Sequence, residues 1–274
     1  LIVARSNVEL ETLIYTTFPF VYDKDVISQN IERLRGYSEN MIPVVSAENK
    51  KLLGVITSND ITQLVDEQIS DDYAKLAAMT SEVEPDETLF ESMKKRVPWL
   101  VALLFMGLLV SAVVGVFEGV VEALPMIVSF QSLILGMAGN VGTQSLAVTI
   151  RVLTDENLTA GQKIKLVFKE ARVGLSGGLI LGVASVILIG VYLMVIKQRE
   201  PQFAFAVSGC IGAALLVSMI FSSIVGTLIP LFFKKIKIDP AVASGPLITT
   251  LNDLIAVGCY YGMSWLLLIN VMGY

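Results

Sequence analysis

Asp253 lies in GPLITTLNDLIAVG (residues 245–258), a stretch otherwise apolar enough to sit inside a membrane. A carboxylate at that depth costs roughly 2.5–3.5 kcal/mol on insertion scales. Two chemistries account for it: a paired or protonated carboxyl buried between helices, or a ligand for a passing cation. No Lys or Arg falls within the apolar runs at a comparable depth to pair with it. Intramembrane carboxylates are functional by default, which favours the cation. A second stretch, LGMAGNVGTQSLAVTIR (residues 135–151), sets Asn140, Thr143, Gln144 and Ser145 among Gly136, Gly139 and Gly142. It is too polar and flexible for a lipid-facing helix, and such backbone is tolerated at membrane depth only where protein buries it or water wets it. The run with Asp253 has matching features in Pro240, Gly245, Pro246, Thr249, Thr250 and Asn252. Together the two segments offer carbonyls, amides, hydroxyls and one carboxylate, with no cationic side chain. That inventory suits a cation that keeps part of its water shell, as Mg²⁺ does. One carboxylate per chain, doubled by a symmetric partner, would position a hydrated ion without trapping it. Glu118 and Glu122, near the outer end of the first apolar run, either attract cations or sit in interfacial water.

Composition narrows the chemistry further. The 274 residues contain no His, and the two Cys, Cys210 and Cys259, both fall in apolar runs. Structural zinc sites, histidine catalysis and an H-E-x-x-H protease are thereby excluded, and any metal must be met by oxygen, which suits hard divalent cations. No G-x-x-x-x-G-K-[ST] motif for ATP hydrolysis is present, and no enzyme activity is expected. A net charge of −5 is too small to identify a partner. The chain opens on Leu1 in mid-pattern, with neither Met nor signal peptide, as expected of a piece of a longer protein with domains upstream.

These residues must be held by membrane helices. With 54% hydrophobic residues and a mean hydropathy of +0.70, the chain is too apolar for an ordinary soluble protein. The apolarity begins at Pro98. Taking about 20 residues per span, five candidates emerge: 98–121, 125–150, 173–196, 203–232 and 241–271. Arg151, Lys163, Lys165, Lys169 and Arg172 cluster in or beside the second break, and Lys234, Lys235 and Lys237 in the fourth, against only Lys197 and Arg199 in the third. The positive-inside rule then puts the N-terminal part and those two breaks in the cytoplasm and the C-terminus outside, across a plasma or inner membrane. Gly174, Gly178 and Gly182 recur every four residues and predict close packing against a neighbouring helix.

Ahead of the spans, NMIPVVSAENKKLLGVITSNDITQLV has β-rich runs at 42–46 and 52–57 around a polar turn, then a helix from about Asn59; SQNIERLRGY reads as an amphipathic helix before it. This helix–hairpin–helix order resembles a CBS domain, and GVITSND (Gly54, Thr57, Asp60) resembles the G-h-h-T-x-x-D signature of those modules. In nucleotide-binding CBS domains the matching Thr and Asp touch ribose or phosphate, so Thr57 and Asp60 are candidates for ATP or another adenosine nucleotide; equally, Thr57 caps the helix and Asp60 reinforces its start. LIVARSNVELETLI reads as the tail of a preceding CBS module. Acids follow at Asp66, Glu67, Asp71 and Asp72, then at Glu82, Glu84, Asp86 and Glu87. A charge run is usually a solvated face; packed together, these two clusters would repel unless a divalent cation lay between them. ETLFESMKKR then reads as a helix leading into the first span, its acids first and bases last as the dipole favours.

The whole succession resembles the MgtE magnesium channels, most specifically in FEGVVEAL, AGNVGTQS, FKEARVGL and DPAVASGPLITTLND, in that order behind the CBS module. The resemblance implies a homodimer with a Mg²⁺-selective pore along its axis, in which Asp253 matches the filter acid, Asn140 the second-span Asn and Thr249 the position whose main-chain oxygen faces the ion. Gly245 stands where some members carry Asn. It also implies a cytosolic Mg²⁺ sensor, with Asp71 and Asp72 matching its acidic pair, Asp86 near the connecting-helix acid and Glu67 beside them; Gln68 departs from members acidic there. The expected fold is an α-helical polytopic membrane domain of five transmembrane helices preceded by a small α/β CBS domain. Its layout is 1–17 (tail of a first CBS domain), 18–80 (CBS), 81–97 (acidic linker and connecting helix) and 98–274 (pore). The expected partners are a second copy, the lipid bilayer and divalent cations, with no nucleic acid. A Mg²⁺/Na⁺ or Mg²⁺/H⁺ exchanger and a membrane-anchored sensor without transport are the competing functions; the first would favour internal repeats, of which none is convincing.

Overall fold

The computed structural model describes residues 20–25, 41–81, 84–155 and 158–273. The expected tail at 1–17 and the helix at SQNIERLRGY lie outside them. The chain divides into two compact units, Leu1–Ser70 and Asp71–Tyr274.

In the first unit, β1 (Val21–Tyr22), β2 (Met41–Val45) and β3 (Leu52–Thr57) form one sheet in that order. β1 runs parallel to β2, and β2 pairs antiparallel with β3, with an irregularity at Val44/Val45. Val21 and Ile42 are buried, and Val44, Ile56 and Ile61 close over them. Alternation along β2 turns Ile42 and Val44 to the same face, as a half-buried strand requires. Helix α1 (Ser58–Leu76) starts with a reciprocal cap. The Asp60 carboxylate accepts from the Thr57 amide at 2.8 Å and hydroxyl at 2.7 Å, and the Asp60 amide donates back to the Thr57 hydroxyl at 3.3 Å. These bonds hold the Asp60 carboxyl below the usual range, the backbone donor of Thr57 first and its hydroxyl second.

The second unit is helical, and five of its segments are long and apolar enough to cross a membrane: Leu89–Val116, Pro125–Leu153, Ala160–Val195, Pro201–Lys235 and Gly245–Val271. The first, α2 (Leu89–Val116), is one unbroken helix that includes the expected connecting helix. Its capping box is Thr88 with Glu91, a pairing that satisfies two otherwise orphaned amides. Pro98 cannot donate to the ladder, and one turn earlier the Lys95 carbonyl accepts from the Thr80 amide at 3.0 Å and hydroxyl at 3.3 Å. The helix stops at Phe117, before the 121 expected, and a short α3 (Glu118–Ala123) carries Glu118 and Glu122, both exposed.

Then come α4 (Val128–Asp155), α5 (Ala160–Val195), α6 (Pro201–Lys235) and α7 (Gly245–Met263), the last continuing as a π-helix over Ser264–Val271. α5 begins at Ala160 rather than 173 because Thr159 and Gln162 form a capping box ahead of its basic first turns. α6 is the central helix, packed on α4, α5 and α7, while α2 packs on α7. The glycine stripe of α5 meets α6 as its spacing predicts. A Cβ at Gly178 would lie 3.0 Å from the Leu216 Cα, and one at Gly182 would lie 2.9 Å from the Gly212 carbonyl oxygen. Tyr260 and Tyr261, both fully buried, tie α7 to the start of α4. Their hydroxyls donate to the Ile127 carbonyl at 2.7 Å and to Gln131 Oε1 at 2.6 Å. At the other end, Lys234 Nζ donates to the Leu153 carbonyl at 2.6 Å, a cation at the C-terminus of α4, where the dipole favours one.

Candidate functional site

The polar stretches of α4 and α7 face each other. A Cβ at Gly139 would lie 3.0 Å from Thr249 Cγ2, and one at Gly142 would overlap the side-chain amide of Asn252. Gly142 is also where α6 comes closest, with Gly226 set against its backbone. Small residues at these two positions let α4 sit between α6 and α7 with its backbone almost touching both. Asn252 is fully buried, and neither its Nδ2 nor its Oδ1 has a hydrogen-bond partner among the described residues. An unpaired buried amide costs on the order of 1–3 kcal/mol. Thr143 and Thr250 turn their hydroxyls back to their own helices, to the Asn140 and Pro246 carbonyls at 2.9 and 2.8 Å.

Asp253 is half-buried on α7, one turn beyond Thr249, and among the described residues it takes part in no hydrogen bond or ion pair. The structure thus brings Thr249 against α4 beside Asn140, with Asp253 following on the same face of α7. No hydrogen bond joins Asn140 to Asp253. Asn140 and Gln144 are exposed on α4 and line a cavity of about 640 Å³ between α4 and α5. Glu170 of α5 also lines it; that carboxylate is 4% exposed and accepts from the Ser145 hydroxyl at 3.0 Å. Sequence reasoning assigned no role to Glu170 and counted Asn252 only among the polar features around Asp253, although both lie within the stretches that carry the MgtE resemblance. A carboxylate set between Lys169 and Arg172 at the mouth of a span was the available signal for Glu170, and an amide beside Asp253 was the signal for Asn252.

Outside the spans, two of the four expected sensor acids, Asp71 and Asp72, fall beside Asp239. Asp71 accepts from Lys75 Nζ at 2.7 Å, and the same ammonium donates to Asp239 at 2.7 Å, in the break before α7. Asp239 also caps the turn Pro240–Val242 through the Ala241 amide at 2.9 Å. Burial draws the Lys75 ammonium down, but its bonds to Asp239 and Asp71, with their charges, more than offset this and hold it above its usual range. Asp72 is pushed up, first by burial, then by the Asp239 charge. Asp86 is exposed and makes no hydrogen bond or ion pair among the described residues. Glu67, in the first unit, accepts from Gln63 at 3.1 Å. Glu87 pairs with Lys95 at 2.6 Å, and that bond is the main cause holding its carboxyl below the usual range. Thr57 and Asp60 are committed to each other in the cap already described, which accounts for their spacing without a ligand.

Five apolar helices, a glycine-seamed junction of α4, α6 and α7, and oxygen-bearing side chains along it define a multi-pass helical membrane protein with a polar interior. Residues 131–263 match the family model MgtE, described as a divalent cation transporter. The chain is similar to three proteins named magnesium transporter MgtE. It is 33% identical to that of Bacillus subtilis over 96% of this chain and 56% of the relative, and 35% identical to that of Enterococcus faecalis over 88% and 50%. It is 30% identical to that of Thermus thermophilus over 89% and 52%. Residues 131–263 are an MgtE-family membrane region, and the chain spans about half the length of the curated relatives it matches. Those relatives are named as transporters, not enzymes.

Proposed function

We propose that this chain is the membrane part, with adjoining cytosolic elements, of a Mg²⁺ channel that admits the ion down the membrane potential. The observation that carries the proposal is Asp253. It is an intramembrane carboxylate without an ionic partner among the described residues, on the helix face that packs on the glycine-rich stretch of α4. Divalent cation transport by the matched family and the magnesium named for the relatives agree with it. In this proposal two chains pair, and their Asp253 carboxylates hold a hydrated ion at the axis, with Thr249 main-chain oxygen and Asn140 nearby. A divalent ion gains about 4.6 kcal/mol per 100 mV of inside-negative potential, so no other energy source is required.

Gating is assigned to the cytosolic acids. Asp71 and Asp72 stand beside Asp239, and Mg²⁺ shared among these carboxylates holds the end of α1 to the break before α7; Asp86 and Glu67 are the further sensor acids that the family resemblance suggests. When Mg²⁺ falls, the carboxylates repel and the pore is released. A nucleotide at Thr57 and Asp60 would have to displace their mutual cap, which argues against ATP there. The exchanger alternative is distinguished by its need for a Na⁺ or H⁺ gradient, and a membrane-anchored sensor by lack of flux.

The test is Mg²⁺ uptake into proteoliposomes under an inside-negative potential, with no counter-ion gradient, comparing the chain with Asp253→Ala and Asp253→Asn. Uptake lost in both variants, each still dimeric, supports the pore assignment. Equal uptake in all three removes Asp253 from the pathway.

A further inference from the structure

The base of α5 carries a charge pattern that neither the pore nor the cytosolic acids use. Lys165, Lys169 and Arg172 fall at i, i+4 and i+7, so they share one helix face, and all three are exposed. None of them forms an ion pair with another described residue. Like charges at this spacing repel along a helix. The one acid between them, Glu170, is buried on another face and bonded to Ser145. The three cations border a groove of about 840 Å³ whose other walls are mostly apolar, with Gln162 and Ser176 the polar exceptions; Ile164 and Phe168 there are 59% and 64% exposed.

Helix length sets the depth of this groove. The 36 residues of α5 rise about 54 Å at 1.5 Å each, well beyond a hydrocarbon core of about 30 Å. Val173–Val195 carry no charge and fill about 34 Å of that length. Arg172 and Lys169 therefore stand at headgroup level, and Lys165 lies just beyond, with a stem long enough to reach back. Above them the exposed side continues as Leu179, Ile180 and Val183, each more than half exposed. We propose that this groove binds an anionic phospholipid. Its phosphate is held by Lys165, Lys169 and Arg172, and its acyl chain lies along the apolar side of α5. The charge requires an anion and the walls require hydrocarbon. Inorganic phosphate or a nucleotide would leave the apolar walls in water, and a zwitterionic lipid would bring its own cation beside Lys165, Lys169 and Arg172. Basic pockets beside transmembrane helices are the expected setting for such headgroups.

The experiment uses the chain purified in neutral detergent and exposed to phosphatidylglycerol, to phosphatidylcholine with the same acyl chains, and to inorganic phosphate. Native mass spectrometry reads retained lipid, and thermal melting reads stabilisation. The expected result is roughly tenfold or greater retention of phosphatidylglycerol over phosphatidylcholine, accompanied by a higher melting midpoint. The preference should be lost in Lys165→Gln/Lys169→Gln/Arg172→Gln. Equal retention of both lipids overturns the proposal, as does a preference that survives in the triple variant. Equal stabilisation by inorganic phosphate would make this a free-anion site, and a change of oligomeric mass in the variant would assign the groove to a second copy. Should the variant not fold, wild-type protein decides: the preference must fall when salt rises from 50 to 500 mM, because charge pairing is screened.

Discussion

Lys75→Gln offers a direct test of how the end of α1 is held to the break before α7, on which the proposed gating depends. The ammonium lies 2.7 Å from both Asp71 and Asp239, with side-chain exposures of 26%, 43% and 39%. Such partly exposed pairs are worth about 0.2–1 kcal/mol each, so two sharing one cation contribute about 1 kcal/mol at low salt. That corresponds to a factor of about 5 in the population of the clamped arrangement. The substitution also leaves Asp71, Asp72 and Asp239 together with no positive charge among them, which raises the demand for an added divalent ion. In inside-out patches or proteoliposomes at low cytosolic Mg²⁺, Lys75→Gln is expected to open about fivefold more often. It should regain closure as Mg²⁺ rises, with a steeper dependence than the parent. Lys75→Arg should behave as the parent, and raising the salt to about 1 M, where the Debye length is near 3 Å, should bring the parent toward the variant. Identical Mg²⁺ and salt dependence in Lys75→Gln and the parent would refute the clamp.

Asp72 gives a pH test. Its carboxyl is raised by burial and by Asp239, so the folded state binds its proton more tightly than the unfolded chain does, and the favourable contribution is lost as pH rises through the raised value. Acidification from neutral pH toward the carboxylate range should therefore tighten the contact between α1 and the break before α7, read as fewer openings; Asp72→Asn should be tight at all pH values and less sensitive to Mg²⁺. A pH response unchanged in Asp72→Asn would show that another group titrates. Gly142→Ala should destabilise the membrane domain by about 1–3 kcal/mol, as overpacking does, because its methyl lands on the Asn252 amide. Adding Asn252→Ala should recover most of that loss in thermal melting, and additive losses would sink this explanation. Glu170→Gln keeps an acceptor for Ser145 and should leave melting within about 1 kcal/mol of the parent, whereas Glu170→Leu strands the buried hydroxyl and should cost more.

The apolar runs made the helices legible, because about 20 uncharged residues permit little else in a bilayer. Their ends were less so. The start of α5 depended on the Thr159–Gln162 capping box in a basic stretch without hydropathy contrast, and at the arrest of α2 the apolar run continues past Phe117, with Gly115 and Gly119 on either side giving no single stopping point. The glycine stripe of α5 was readable because its period of four fixes one face of a helix. Gly142 was visible as flexible and polar context, but its partner Asn252 lies 110 residues away along the sequence, and spacing alone carries no information about which helices touch. Lys75 is the clearest omission. A lone Lys at the end of an acidic helix looks like ordinary charge balance, and only the return of Asp239, 164 residues later, makes it a bridge.

That bridge lies close to the proposed pore. The break between α6 and α7 is short and fixed at several points. Lys234 reaches the end of α4 at Leu153, Asp239 receives Lys75, and the Ser244 hydroxyl caps α7 through the Leu247 amide. A Cβ at Gly245 would lie 3.7 Å from the Leu76 carbonyl oxygen, so the end of α1 rests on the first turn of α7. Asp253 lies eight residues further along that helix, about 12 Å at 1.5 Å per residue. A rigid helix transmits a displacement of its first turn over that distance, because its own hydrogen bonds resist bending unless a Pro or a π-bulge intervenes. Pro246 is at the N-terminus, where it is tolerated, and the π-helical segment starts only at Ser264. Between Pro246 and Asp253 no further Pro and no π-helical segment interrupts α7. In the proposed gating, a shift of the end of α1 against Asp239 would reach Asp253 through this uninterrupted stretch of helix. The π-helical part of α7, where the hydrogen-bond ladder changes register, lies beyond it, past the buried anchors Tyr260 and Tyr261.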